Sequence, residues 1–184
     1  MTDLRKLIAK MNQTCQLALE DAVGIAHRSR HAEATIVHWL SALTDRPECD
    51  LVLILDRMAV DKDRQRQLLA RAIERMPRNG QRPAPILARD LLDVLRAGWM
   101  VASIDFDATQ IRSGHILLAV LEEAYPDAAR DVIAPLARLS TRTIRDHFHA
   151  VTEGSSESGG QPPSHPPDDD AAPQGASIHW LPRR

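Results

Sequence analysis

The sequence predicts an all-α fold with a pseudo-two-fold repeat of four helices, one extra leading helix and a disordered tail. Apolar residues recur at helical spacing along most of the chain. Aromatic residues are scarce, with three tryptophans, one tyrosine and two phenylalanines among 184 residues. Leucine, isoleucine, valine and alanine must therefore fill the interior, which suits close-packed helices better than a sheet. The order of helices and breaks in residues 12–76 recurs in residues 87–151.

The leading helix is predicted in residues 4–11. Its apolar face carries Leu4, Leu7, Ile8 and Met11, and its other face carries Arg5, Lys6 and Lys10. An isolated helix of this length is marginal in water, so it must pack on something else. Its own domain and a partner protein are both possible.

The first repeat unit is predicted to contain four helices. Thr14 can cap a helix that runs to about Arg28, and Thr35 can cap the next. That helix has an apolar stripe formed by Ile36, Trp39, Leu40 and Leu43. A short helix through Leu51, Leu55 and Met58 follows. Asp61 then caps the fourth helix, in which the arginines of residues 64–75 form a solvated face or a rim that could steer an acidic peptide.

The second unit follows a linker at residues 77–86, which contains Pro77, Gly80, Pro83 and Pro85. A helix carrying Leu87, Leu91, Leu95 and Trp99 is expected to end near Ser103. Ser113 can cap a buried helix, and Pro126 can open a short one. Ser140 is expected to cap the last helix, which carries Ile144 and Phe148.

Equivalent positions in the two units can be aligned directly. Residues 38–43 (HWLSAL) align with residues 115–120 (HILLAV), and residues 60–61 align with residues 139–140. His38 and His115 thus occupy the same place, which suggests a shared structural hydrogen bond at the start of each buried helix. The repeated units make one domain, residues 1–151, rather than a solenoid, which usually needs at least three units.

Residues 152–184 are predicted to form a disordered tail rich in Pro, Gly, Ser and Asp. Most of this stretch has almost no apolar side chains, so packing cannot offset the entropy of ordering it. Residues 178–184 are more apolar but have nothing local to pack on.

Charge and cysteine content favour a cytosolic protein. The formal charge of −2 does not favour nucleic acid or an anionic membrane as the partner. Cys15 and Cys49 are expected to be buried reduced thiols, because the start of the chain lacks the apolar core of a signal peptide. No stretch approaches the roughly 20 apolar residues of a membrane span.

The sequence does not indicate an enzyme. It contains no Gly-x-x-x-x-Gly-Lys-Ser/Thr, Gly-x-Ser-x-Gly, His-Glu-x-x-His or Cys-x-x-Cys motif, so no catalytic, cofactor-binding or metal-ligating residue is predicted. The pairs His27 with His31 and His147 with His149 do not have the usual spacing of helical metal ligands and are expected at the surface. Trp39 and Trp99 each lie on a leucine-flanked stripe and are expected in the core.

Four stretches carry a family resemblance: residues 4–11 (LRKLIAKM), 16–22 (QLALEDA), 36–43 (IVHWLSAL) and 111–122 (IRSGHILLAVLE). Together with the duplicated order of helices they resemble the amino-terminal domain of Clp chaperones such as ClpB and ClpA, over roughly residues 4–151. The extra leading helix and residues 112–115 (RSGH) are most similar to ClpV, the unfoldase that recycles contracted sheaths of type VI secretion systems.

The resemblance implies a protein-docking domain without a cofactor. In ClpV-like proteins this domain captures an amino-terminal helix of the sheath subunit VipB in an apolar groove, and the ATPase modules behind it thread the captured chain. The full-length relatives are hexameric, whereas the isolated domain is expected to be monomeric. No ATPase module is recognisable in this sequence.

A helix-binding groove needs an apolar trough on rigid elements. The trough predicted here lies near the start of the chain and consists of Leu4, Leu7, Ile8, Met11 and Leu17. The alternative is that the leading helix only covers the core of its own domain, because apolar stripes at helical spacing are usually core.

Two other functions are compatible with a small helical protein. One is a stand-alone helical adaptor or decoy of a Clp chaperone or protease system, which would compete for the same cargo. The other is a DNA-binding regulator, which would need a recognition helix with a basic exposed face, and no such helix stands out.

Overall fold

A computed structural model describes residues 4–79, 84–122 and 127–159. Within these ranges almost all regular structure is helical, so the predicted all-α class is confirmed. The predictions for Gly80, Pro83, Pro126 and residues 160–184 lie outside the described residues.

The first half begins with the leading helix and contains four further helices and one short strand. These elements are α1 (Leu4–Ala9), α2 (Gln13–Arg28), β1 (Glu33–Ala34), α3 (Ile36–Thr44), α4 (Asp50–Arg57) and α5 (Lys62–Arg75). The order of long, buried, short and closing helix is the one predicted.

The second half repeats this order with more breaks. Its elements are β2 (Ile86–Leu87), α6 (Arg89–Met100), a π-helical turn (Val101–Asp105), α7 (Ser113–Glu122), α8 (Asp127–Ile133), a 3₁₀ turn (Leu136–Arg138), α9 (Thr141–Asp146), α10 (Phe148–Val151) and a last 3₁₀ turn (Ser156–Gly159). The predicted final helix is thus split at His147, although Ile144 and Phe148 are both buried as expected.

Two equivalent backbone hydrogen bonds join the two halves. The N–H of Ala88, the residue before α6, donates to the carbonyl of Ala34 at 2.9 Å, where β1 and β2 pair in parallel. Correspondingly, the N–H of Asn12, the residue before α2, donates to the carbonyl of Ile111 at 3.0 Å, beside a second parallel bridge. In each contact the start of one long helix meets the segment before the other half's buried helix, as a pseudo-two-fold axis requires.

The predicted histidine hydrogen bond is present in both units. The N–H of Thr35 donates to Nδ1 of His38 at 3.0 Å, and the N–H of Arg112 donates to Nδ1 of His115 at 3.1 Å. Burial lowers the pKa of His38 to about 4 and that of His115 to about 3, so both rings are neutral acceptors at pH 7. Each histidine thereby accepts a hydrogen bond from a backbone N–H at the start of its buried helix.

The predicted caps of the closing helices are also confirmed. Asp61 Oδ1 accepts from the N–H of Arg64 at 2.9 Å, and Ser140 Oγ accepts from the N–H of Thr143 at 3.2 Å. Both side chains satisfy an N–H that has no partner within its own helix.

The core is centred on α3 and α7, whose residues are mostly buried. Trp39 lies in it as predicted, and its Nε1–H donates to the carbonyl of Cys15 at 3.3 Å. Cys15 and Cys49 are buried free thiols. Trp99, which is also expected in the core, is only partly buried and packs against the core residues. Lys10 Nζ lies 4.8 Å from its ring centroid.

Two predicted caps are wrong. Asn12, not Thr14, caps α2, because its Oδ1 accepts from the N–H of Cys15 at 2.9 Å. Ser113 is the first residue of α7 rather than its cap, and its hydroxyl accepts from the N–H of Leu51 at 3.0 Å. The leading helix also ends at Ala9, since Met11 is in the bridge with Ile111.

His31 is not at the surface as predicted; it is only 5% exposed. Its Nδ1 lies 2.9 Å from Nε2 of His38. Because the His38 Nδ1 accepts from backbone, its Nε2 carries the proton and donates to His31. His31 lies just before β1, whose pairing with β2 fixes the chain that leads into α3. His27, His147 and His149 are exposed, as expected.

The folded domain extends beyond the boundary predicted at residue 151. Residues 152–159 lie against the start of α4, where the N–H of Ser156 donates to the carbonyl of Glu48 at 2.9 Å. Glu157 is only 6% exposed. The polar composition of these eight residues predicts a tail, but their polar groups have specific partners in the domain.

Candidate protein-docking surfaces

The structure buries most of the predicted trough residues. Leu7 and Ile8 are each 5% exposed, and Met11 is also buried. Leu4 is half-buried, and Leu17 is 40% exposed. The inner face of α1 thus covers the core of its own domain, while Leu4 and Leu17 have apolar surface that remains accessible.

The end of α1 is held firmly against α2 and α6. Gln16 Nε2–H donates to the carbonyls of Ile8 at 3.2 Å and Met11 at 2.9 Å. On the other side, the Lys10 ammonium lies over the ring of Trp99. The α1 surface is therefore a preorganised part of the domain, which lowers the cost of ordering it when a partner binds.

A second exposed apolar area follows Trp99 at the end of α6. Met100 is 54% exposed and Ile104 is 68% exposed, and they lie about one turn apart where α6 passes into the π-helical turn. Neither residue is a predicted site residue, because Met100 lies off the apolar stripe and Ile104 lies beyond the predicted helix end near Ser103.

A groove with a volume of about 970 Å³ lies between α5 and residues 131–139. Its apolar lining includes Met58, Val60, Leu68, Ala72, Met76 and Leu139. Its basic lining consists of Arg64, Arg71, Arg75 and Arg138. Beneath it, Gln65 is buried and its Nε2–H donates to the carbonyl of Val132 at 2.9 Å, which joins α5 to α8.

The arginines of this groove have few acidic partners. Arg75 lies 3.8 Å from Asp131, with both side chains largely exposed. Arg64, Arg71 and Arg138 have no ion pair within the described ranges. Arg66, which does not line the groove, contacts Asp63 at 3.3 Å and donates to the carbonyl of Thr44. The groove therefore has a positive rim.

A buried polar cluster joins the starts of α4 and α7. The carboxylate of Glu157 accepts from the N–H groups of Asp50 and Ser113, each at 2.8 Å. It also accepts from the Ser113 hydroxyl and from Asn12 Nδ2 at 2.6 Å. The anion thus lies at two helix N-termini, where the helix dipoles and unpaired N–H groups favour negative charge.

A second carboxylate in the cluster has its own cation. Arg112 binds Asp50 through two hydrogen bonds of 2.7 Å, and Asp50 is fully buried. Burial, followed by the charge of Asp50, raises the pKa of Glu157 despite its donors. The cluster is filled by the protein's own groups, which indicates a structural role.

Other types of site receive no support from the described part of the chain. No group of three or more His, Cys, Asp or Glu side chains in it is arranged to hold a metal ion. None of its helices is long and apolar enough to cross a membrane.

Comparison with known proteins identifies a family. Residues 10–131 match the model of the Clp repeat (R) N-terminal domain. Over 154 residues the chain is 30% identical to the chaperone protein ClpB of Yersinia enterocolitica and 26% identical to the AAA+ ATPase ClpV1 of Pseudomonas aeruginosa PAO1. Each alignment covers 83% of this chain and 17% of the relative, so the chain spans a small part of their length.

Solved structures of such domains have the same fold. The N-domain of ClpV from Vibrio cholerae has a TM-score of 0.77 at 28% identity, over 84% of this chain and 92% of that one. A ClpV N-domain in complex with a VipB peptide has a TM-score of 0.73 at 29% identity, over 84% and 94% of the two chains. The matched family is an amino-terminal domain without catalytic activity. The chain therefore belongs to the Clp amino-terminal domain family, and its fold is that of ClpV N-domains.

Proposed function

We propose that this chain is the docking domain of a ClpV-like AAA+ chaperone, and that it captures the amino-terminal helix of a type VI secretion sheath subunit. The observation that carries the proposal is its similarity to a ClpV N-domain solved with a VipB peptide. In the complete protein, which would act in the cytosol, ATPase modules outside this chain would then thread the captured subunit.

We place the docking surface on the α1 side of the domain. Leu17, on α2, is one of four large apolar side chains that the described residues leave exposed, and Leu4, on α1, is half-buried. Leu7, Ile8 and Met11 would form the rigid floor beneath them rather than contact the partner. An amphipathic helix could bury its apolar face on such a surface.

The proposal is tested by titrating the chain with a synthetic peptide of a sheath subunit's amino-terminal helix. The wild-type chain should bind it, and Leu17→Asp should bind at least tenfold more weakly, because a charge replaces apolar contact area. Leu7→Asp is a poor probe, because a charge at this buried position would destabilise the fold.

Ala70→Asp is the matched control, since Ala70 is an exposed position on α5. It should keep the wild-type affinity, and circular dichroism should show both variants folded. Equal affinities of the Leu17→Asp and Ala70→Asp variants would refute the placement of the surface. Absence of binding by the wild-type chain would refute the docking function.

A further inference from the structure

We propose that the groove between α5 and residues 131–139 is a second docking site, and that it binds an acidic amphipathic helix of a partner protein. This site is separate from the α1 surface. Three features of the groove favour such a partner: its shape, its apolar floor and three arginines that have no ion pair among the described residues.

The shape of the groove follows from the pattern of α5. Positions 64, 68, 71, 72 and 75 lie on one stripe of this helix, position 76 directly follows its last residue, and all six line the groove. Leu68, Ala72 and Met76 are therefore stacked one turn apart, and all three are half-buried. Apolar side chains spaced one turn apart on a partner helix would match this row.

The opposite wall is formed by the segment that follows α8. Pro135 and Leu139 are half-buried there, and Met58 and Val60 close one end. Gln65 holds this wall in place from below through its bond to Val132. The walls are thus fixed before a partner binds, as helix-in-groove recognition requires.

Charge determines which helix fits. Arg64 and Arg71 lie on the same face of α5 as Leu68 and Ala72. Arg138 lies on the opposite wall of the groove. None of them has an acidic partner among the residues that the structure describes. Of the two lining aspartates, Asp61 caps α5 and Asp131 lies near Arg75. Glutamates on both edges of the partner's apolar stripe would complement this rim.

Designed peptides test the proposal on the full chain. The first is an amphipathic helix of about 14 residues, the length of α5, with leucines on one face and glutamates on both edges. The second contains the same residues in scrambled order. Fluorescence anisotropy at low salt should show at least tenfold tighter binding of the first peptide, and its affinity should fall as salt is added.

Charge reversal on the groove should abolish this preference. Arg71→Glu should weaken binding of the amphipathic peptide at least tenfold, whereas Arg89→Glu, at an exposed position of α6, should leave it unchanged. Neither change should alter the affinity for the sheath-subunit peptide, so failure of this proposal is distinguishable from failure of the proposed function. Equal binding of the two designed peptides, or equal effects of the two reversals, would overturn it.

Two other occupants would also overturn the proposal. If the chain's own acidic run occupied the groove, replacing Asp168, Asp169 and Asp170 with asparagine would raise the affinity for the designed peptide. If a second copy occupied it, sedimentation would show self-association that Arg71→Glu abolishes. We expect unchanged affinity and no such self-association.

Discussion

Glu157 accepts a hydrogen bond from the N–H of Ser113 at 2.8 Å, so the segment after the last helix is bound to the start of a buried helix 44 residues earlier. The same carboxylate also binds the start of α4 through the N–H of Asp50. The Glu157 side chain thereby connects both halves of the domain with residues 152–159.

Replacing Glu157 with glutamine should destabilise the domain. The donors that now bond two carboxylate oxygens would have only one amide oxygen to bond. The NH₂ group of the glutamine would face N–H donors, with which it cannot form hydrogen bonds. We expect a loss of about 1–3 kcal/mol in the free energy of unfolding, measured by urea denaturation. Glu153→Gln, at an exposed position four residues earlier, should change stability by less than about 0.5 kcal/mol. Equal stability of the two variants would contradict the role assigned to Glu157.

Removing Arg112 should have a larger effect, because it leaves two buried carboxylates without a cation. Arg112→Met should cost about 3–5 kcal/mol in urea denaturation. Adding Asp50→Asn should restore part of that loss, since it removes one of the two charges. If Asp50→Asn gave no recovery in the Arg112→Met background, the ion pair would not be the cause of the destabilisation.

Stability should fall as the pH is lowered from 7 to 5. His38 and His115 have pKa values of about 4 and 3 in the folded protein, below the 6.5 of an unfolded chain. Between these values the unfolded state binds more protons, so acid favours unfolding. The free energy of unfolding at pH 5 should therefore be lower than at pH 7 by about 2 kcal/mol for each of these histidines. The raised pKa of Glu157 acts in the opposite direction, since its contribution to stability is lost as pH rises.

A single variant isolates the histidine contribution. In His115→Asn an amide oxygen can still accept from the N–H of Arg112, but the side chain does not titrate. Its stability should therefore decline less between pH 7 and pH 5 than that of the wild type, by about 2 kcal/mol. Parallel pH profiles would show that His115 does not titrate as described.

Two helical glycines should respond oppositely to alanine. A Cβ at Gly114 would lie 2.8 Å from the Phe148 ring and 3.1 Å from Asp50 Cβ, so Gly114→Ala should cost about 1–3 kcal/mol. A Cβ at Gly24 would meet only the end of the flexible Arg28 side chain, at 3.2 Å. Gly24→Ala should therefore stabilise the domain by about 0.5–1 kcal/mol. Thermal denaturation of both variants tests these two predictions. A stabilising effect of Gly114→Ala would contradict the close packing of Gly114 against Phe148 and Asp50.

Features that depend on nearby residues could be predicted from the sequence. The caps at Asp61 and Ser140 each bond an N–H three residues later, and the His38 and His115 bonds span the same distance. The two-fold repeat was visible for the same reason, because each unit carries its own local signals.

Features that depend on distant residues could not be predicted. The sequence pattern predicts Thr14 as the cap of α2, whereas Asn12 is the cap, and no local pattern shows that the N–H of Asn12 bonds to Ile111. Glu157 lies in a polar stretch, and the hydrogen-bond partners of its carboxylate are at least 44 residues away. Leu7, Ile8 and Met11 form an apolar stripe in the sequence, but such a stripe does not show whether it packs on the protein's own core or on a partner.

The central claim is that the α1 side of this domain docks a partner's helix. Its most direct test is an NMR titration of the labelled chain with the amino-terminal helix of a sheath subunit. We predict that the largest shift changes occur at Leu4, Leu17 and their neighbours, while amides around Arg71 in the α5 groove stay unchanged. Changes confined to the groove, or none at saturating peptide, would contradict the claim.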